Sequence, residues 1–417
     1  MRATYDDALG RNIIAIHRWA VDQGLRGAGT VAVFEELCRQ LVEAGVPLWR
    51  GFTGVQTLHP QWGGYSLTWQ RGQDHVVPER RARGVQYDRD LQESPFALLM
   101  RDGAIQPRGA LGWPSLRRRL SGPETQVDFP VLERLAAAGA TDYFAQIVRF
   151  GPPGDQSYGS GMGYTFATDR PSGFADDDIR LIEAVLPAAS LAIMSDTGHG
   201  IASGLLAAYL GADAGRRVHA GAVVRGSVES IRAALCYADI RGFTAIADAL
   251  PGLVLIELLD EVFETLIPPL RTGGGQVLKF LGDGILASFP FEEAERCATC
   301  RRALDAAFEA IAGLDRLAAS RRDAGKPAAS VDFALHVGEV LYGNVGAVDR
   351  LDFTVIGPAV NEVSRIEVLC EPLGRNLLVS AEFADAAGDR DRLRPLGRHT
   401  LRGVREPREI YGLESHP

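Results

Sequence analysis

The chain has 417 residues, more than one hydrophobic core usually organises, so two or three domains are expected. Its 46% hydrophobic and 23% charged residues exclude a largely disordered or collagen-like chain. A formal charge of −9 argues against a general nucleic-acid binder, and the longest apolar run, residues 184–194, is too short to span a membrane.

The start, Met1-Arg2-Ala3-Thr4-Tyr5-Asp6-Asp7, lacks the basic-then-apolar plan of a signal peptide. Five cysteines (Cys38, Cys236, Cys297, Cys300 and Cys370) show no framework spacing, which fits a reducing, cytoplasmic setting. All five tryptophans fall within the first 113 residues, so the two halves are expected to have different cores. In the first half the pattern predicts helices over 5–22 and 30–44, then strands over 47–57 and 65–70 with Gly63-Gly64 as the turn between them. Residues 71–95, polar and arginine-rich, read as a loop; a helix over 129–138 and strands over 142–150 and 161–167 follow. Asp176, Asp177 and Asp178 open a helix over 174–194, with Ile179, Ile182, Val185, Leu186 and Ala189 at helical spacing and Pro187 expected to bend it. Helical sequence resumes over 202–210, and residues 196–229 read as a helical connector.

From residue 230 strands and helices alternate. Strand 231–239, helices 243–250 and 253–270, strand 276–280, a turn at Gly282-Asp283-Gly284 and strand 285–289 come first. A long helix 292–320, strands 331–337, 340–346 and 353–356, helix 359–369, strand 377–380 and terminal strands near 396–401 and 409–413 complete an α+β pattern with a mostly antiparallel sheet. Cys297 and Cys300 sit in the long helix without a second ligand pair, so they read as ordinary helix thiols.

Three segments carry candidate chemistry. In ALCYADIRGFTAIAD (234–248) a buried strand ends at Asp239, and a helix opens near Phe243 and Thr244 after Gly242. The carboxylate can hold a hard cation and the Gly242, Phe243 and Thr244 amides can receive phosphate oxygens; equally, Asp239 can be a helix cap. In VLKFLGDGILASF (277–289) Asp283 sits at the tip of a hairpin, where Asp-Gly is also favoured for steric reasons alone. If the two strands are neighbours, Asp283 meets Asp239 and the pair can bracket two Mg²⁺ ions. Lys279 lies in an apolar strand, where an unpaired ammonium is expensive, unless it is a surface lysine on an edge strand. In the third segment, 335–369, Asn361 and Arg365 are four apart on one helix face, suited to a ribose and phosphate oxygens, or simply an exposed polar face.

In this order the segments resemble the catalytic domain of class III nucleotidyl cyclases, from about residue 203 to 413 and ending in LRGVREPREIYGL (401–413). The resemblance implies a ferredoxin-like catalytic domain, here over 230–417, that converts a nucleoside triphosphate to a 3′,5′-cyclic monophosphate. It implies that Asp239, Asp283 and the Ile240 carbonyl bind two Mg²⁺ (or Mn²⁺) ions per active site. Lys279 and Thr354 match the purine-reading positions in a Lys/Thr adenylate cyclase subgroup, which favours ATP over GTP. Asn361 is implied to orient the ribose, Arg365 to stabilise the transition state, and Arg402 to stand where relatives carry a phosphate-binding lysine. Asp332 lies where some relatives have a basic residue. The resemblance further implies a head-to-tail homodimer with composite sites. Guanylate cyclase activity and a non-catalytic nucleotide-binding homologue are the alternatives; a polymerase would need a basic template groove that the acidic chain does not offer.

The stretch 141–193 resembles the end of a GAF-type domain, which implies an α/β GAF-like sensor or dimerisation domain over 1–195 that regulates the cyclase. Its partners are expected to include a small-molecule ligand; the tryptophans with His59 and His75 could line its pocket or fill a core, and neither nucleic acid nor membrane is expected.

Overall fold

A computed structural model describes residues 8–73, 75–84, 89, 91–100, 113–150 and 161–413 and divides into two compact units at Leu205/Leu206. Positions 5–7 of the first expected helix, 74, 85–88 and 90 of the expected loop, and 151–160 of the GAF-like stretch lie outside the described residues.

The first unit contains α1 (Ala8–Leu25), α2 (Thr30–Glu43), β1 (Arg50–Gln56), β2 (Trp62–Gln70), β3 (Pro78–Ala82), α3 (Pro95–Met100), β4 (Ser115–Arg119), α4 (Pro130–Ala137), β5 (Asp142–Arg149), β6 (Gly161–Thr168) and α5 (Asp176–Leu210), the last crossing the division. Its antiparallel sheet runs β3-β2-β1-β6-β5-β4. Both faces are covered, which is why β5 reads as a nearly continuous apolar run rather than an alternation. Phe144, Val148, Tyr164 and Phe166 pack with Phe34, Leu37, Ile182 and Val185 on one face; Tyr143, Ala145 and Ile147 pack with Leu99 and Leu132 on the other.

The structure departs from the sequence expectations at several places. Gly63 and Gly64 lie inside β2, at a register irregularity between Trp62 and Gly64, because glycine in a strand can mark a bulge as readily as a turn. The expected loop contains β3, an exposed edge strand without apolar alternation, and β4 hides its periodicity behind three consecutive arginines. Helix α5 runs unbroken through Pro187 and the glycine-containing residues 195–201. There Asp196 accepts from the amide and hydroxyl of Thr30, both at 2.8 Å, and Thr197 meets the Tyr65 hydroxyl at 2.9 Å, so tertiary contacts override local propensity.

Asp142 is fully buried where β5 begins. It accepts from Arg117 at 2.7 Å and from the Phe174 amide at 3.0 Å, and it pairs with Arg119 at 3.1 Å, tying the approach to α5 to the sheet. Asp142→Ala removes the buried carboxylate that two guanidinium groups and an amide share, leaving the arginines to their carbonyl contacts at Ser172 and Phe174, so a loss of about 3 kcal/mol in unfolding free energy is expected, read by denaturant titration.

The second unit contains α6 (Ala212–His219), β7 (Val228–Ile240), α7 (Phe243–Ala249), α8 (Gly252–Thr272), β8 (Gln276–Phe280), β9 (Ile285–Pro290), α9 (Arg296–Asp323), β10 (Val331–Gly346), β11 (Leu351–Ile356), α10 (Pro358–Glu367), α11 (Cys370–Leu373), β12 (Leu377–Ser380), α12 (Ala381–Ala387), β13 (Leu393–His399) and β14 (Arg408–Leu413). The mixed sheet has the order β13-β14-β12-β10-β7-β9-β8, with β11 also on β10; β10 and β12 are parallel and the other pairs antiparallel. Leu258, Val262, Leu266 and Leu270 of α8 and Ala303, Leu304 and Ala307 of α9 cover one face. Val363 and Ile366 of α10 cover the other.

The two strands expected over 331–337 and 340–346 are one strand, β10, paired with β7 from Val331↔Ile240 to Gly343↔Val228. Gly338 therefore serves close packing rather than a turn: a Cβ there would lie 2.5 Å from that of Ala359 on α10.

Candidate active site

Strand β7 delivers Asp239 and Ile240 to its C-terminal end, and β9 pairs directly beside it, Ala238 opposite Ile285. The β8–β9 hairpin closes with the Leu281 amide donating to the Gly284 carbonyl at 2.8 Å and Gly282 in the left-handed region (φ 81°). Asp283 is thereby brought close enough to Asp239 for the two carboxyls to act on each other. Gly284 is required by the same approach, since a Cβ there would sit 2.3 Å from Asp239 Oδ1.

The electrostatics are those of surplus negative charge. Burial first, then the Asp283 carboxylate, lifts Asp239 to about 7. Register sets Asp332 directly opposite Asp239 and buries it; Asp332 adds to the repulsion and is answered by Arg241, whose Nε donates at 2.9 Å. Arg241 also donates to the Arg375 carbonyl at 2.7 Å, so the loop after Ile240 is anchored. Glu367 at the end of α10 is pushed up to about 7, by burial and then by Asp239, Asp332 and Asp283. Asp332 and Glu367 were not read from the sequence as members of this cluster; the strand register reveals the first, and only the packing of α10 reveals the second. A pair of hard oxygen donors with uncompensated charge suits a divalent cation.

Beyond Ile240, Gly242 takes the left-handed conformation (φ 67°, ψ 26°) and caps α7, so Phe243 and Thr244 occupy its first turn. Lys279 stands on β8, the sheet's edge strand, and its ammonium pairs with Asp352 of β11. Thr354 lies two residues along β11 from Asp352, hence on the same face, and is 9% exposed. Asp352 is a further residue that sequence reading missed, although its alternation with Thr354 was visible.

Asn361 and Arg365 share a face of α10, which opens with Pro358 in its first turn; Asn361 is exposed and Arg365 half-buried. The Arg365 guanidinium approaches Gly403, where a Cβ would lie 3.7 Å from Nη2, and exposed Arg402 is next in the chain. Glu367, which feels Asp239 and Asp283, is about 200° round the helix from Arg365. The structure thus gathers Asp239, Ile240 and Asp283 in one group, Lys279, Asp352 and Thr354 in a second, and Asn361, Arg365 and Arg402 in a third.

Residues 227–415 match the family described as the adenylate and guanylate cyclase catalytic domain. The adenylate cyclase of Anabaena cylindrica is 33% identical over 159 residues, 37% of this chain and 30% of that protein. Adenylate cyclase 1 of Rhizobium meliloti is 27% identical over 180 residues, 42% of this chain and 26% of that one. The chain therefore spans less than a third of these relatives' length. A solved bacterial light-regulated adenylyl cyclase is 25% identical with a TM-score of 0.45, covering 55% of this chain and 64% of that one. The C-terminal unit carries a cyclase catalytic domain with adenylate cyclases among its relatives.

Proposed function

Proceeding from a cyclase-type catalytic domain over residues 227–415, we propose that the chain cyclises ATP to 3′,5′-cyclic AMP and pyrophosphate. The observation that carries this reading is the meeting of Asp239 and Asp283, half-buried and short of positive charge. Asp239, Asp283 and the Ile240 carbonyl are the groups that would hold two Mg²⁺ or Mn²⁺ ions. Such ions, when bound, acidify the ribose 3′-hydroxyl and neutralise the triphosphate.

The chain's other groups bind and orient. The turn at Gly242 offers the Phe243 and Thr244 amides to phosphate oxygens. Lys279, held by Asp352, donates to adenine N1, and the Thr354 hydroxyl accepts from the N6 amine. Guanine would set an N1–H donor against the lysine. Asn361 orients the ribose, while Arg365, with Arg402 beside it, meets charge developing on the α-phosphoryl group and the departing pyrophosphate. The 3′-oxygen, having lost its proton, bonds to the α-phosphorus as the bond from that phosphorus to the α–β bridging oxygen breaks and pyrophosphate leaves.

Purified chain given ATP or GTP with Mn²⁺ is expected to release cyclic AMP at least about tenfold faster than cyclic GMP, because a site built to hydrogen-bond one purine edge leaves polar groups unpaired against the other. Equal or greater cyclic GMP output would reverse the purine assignment, and no cyclic product from either would end the proposal. Residues 1–205 are assigned the regulatory role, read by comparing turnover with and without them.

A further inference from the structure

A cavity of about 360 Å³ opens in the first unit, between its sheet and the helices α3 and α4. Its floor is hollow because Gly54 of β1 and Gly163 of β6 face each other across the ladder and contribute no side chains. Phe96 of α3 fills part of that room: a Cβ on Gly163 would sit 2.6 Å from its ring. Phe96 also stacks with Phe52 (centroids 6.4 Å, interplanar 30°), so one wall is flat and apolar.

Three arginines, Arg50, Arg81 and Arg134, line the cavity against one carboxylate, Glu93. Arg50 rises from β1 with its guanidinium 5.8 Å from the Phe52 centroid and only a long 3.4 Å contact to Thr68 Oγ1. Arg134 of α4 stands at the exposed rim. Among the described residues neither Arg50 nor Arg134 forms an ion pair with a carboxylate; Glu79 favours the charge of Arg50 only at a distance, and Glu93 lines the mouth on the exposed side. Burial lowers the basicity of Arg50; Tyr143 and Glu79 oppose that, and Arg134 adds repulsion. An under-solvated guanidinium beside a second cation and an aromatic wall is a complement awaiting an anion.

We propose that this cavity binds a small organic anion, its carboxylate or phosphate head on Arg50 and Arg134 and its flat apolar body against Phe52 and Phe96. A pocket of this volume is of ordinary size for such a ligand. The site is independent of nucleotide cyclisation and is tested without nucleotide.

Isothermal titration of the full chain with 3-phenylpropionate and phenyl phosphate distinguishes the two head groups, and 3-phenylpropan-1-ol supplies the neutral shape. At least one anion should bind, the alcohol at least about tenfold more weakly, and Arg50→Met should weaken the anion by a similar factor. Arg134→Met, at an exposed position that carries no folding risk, should weaken it in the same direction, and Arg50→Lys should restore part of the loss. Equal binding of alcohol and anion, undiminished binding in both methionine variants, or no heat from either anion at millimolar concentration would each overturn the proposal. Cyclic AMP formation can survive any of these results, so the two readings fail separately.

Discussion

Asp283→Ala is expected to reduce cyclic AMP formation by at least about a thousandfold while the protein stays folded, because the lost carboxylate belongs to the charge-bearing pair and not to the core. The turn itself depends on Gly282 in its left-handed conformation and on the Leu281–Gly284 hydrogen bond, neither of which involves the Asp283 side chain. The same substitution removes a principal cause of Asp239's high pKa, second to burial, so that carboxyl should become more acidic. The stability consequence has a definite sign. A carboxylate raised to about 7 in the folded chain, against an ordinary value near 4, favours folding when protonated, and this contribution is lost as pH rises through 7. In chelator at pH 8 the variant should therefore unfold at a temperature equal to or above that of the parent, with the advantage fading towards pH 4. Loss of turnover with retained or raised stability identifies Asp283 as a functional carboxylate. Unchanged turnover would refute the assignment, and a collapse in stability would show a structural role instead.

The parts of the site that lie within one strand–turn unit were legible in the sequence. Asp239 at a strand end before Gly242, and Asp283 between two glycines and two apolar strands, could be singled out from local pattern alone. Their meeting required β9 to lie beside β7, which the sequence could pose only as a condition and the sheet order satisfies. Lys279 illustrates the limit. Its apolar neighbours suggested burial, but an edge strand leaves one side open, and its partner Asp352 lies 73 residues away on a strand that pairs elsewhere. Gly338 looked like a break between two strands because the pattern records the missing side chain and not the Ala359 methyl that needs the space. In the first unit the polar strands β3 and β4 escaped notice for a related reason: their order comes from backbone pairing to β2 and β5, to which hydrophobic periodicity is blind.

The separation of the candidate groups within one chain makes a second, stronger demand. Arg365 lies on the side of α10 turned away from Glu367, the residue that feels Asp239 and Asp283. Next to Asp283, Phe280 is 54% exposed and Leu281 38%, while Leu253 and Ile256 at the start of α8 are 83% and 54% exposed. Exposed apolar residues adjoining charged site residues suit burial against another copy. A twofold arrangement would set the Asn361/Arg365 face of one copy against the Asp239/Asp283 pair of the other. Asp283→Ala and Arg365→Ala should then each be nearly inactive alone, yet a heterodimer of the two, isolated through different affinity tags, should have about half the parent activity, since one of its two sites has both halves intact. Size-exclusion chromatography with light scattering would verify that the purified species is a dimer. An inactive but correctly assembled heterodimer would exclude the composite site, as would full activity in either variant by itself.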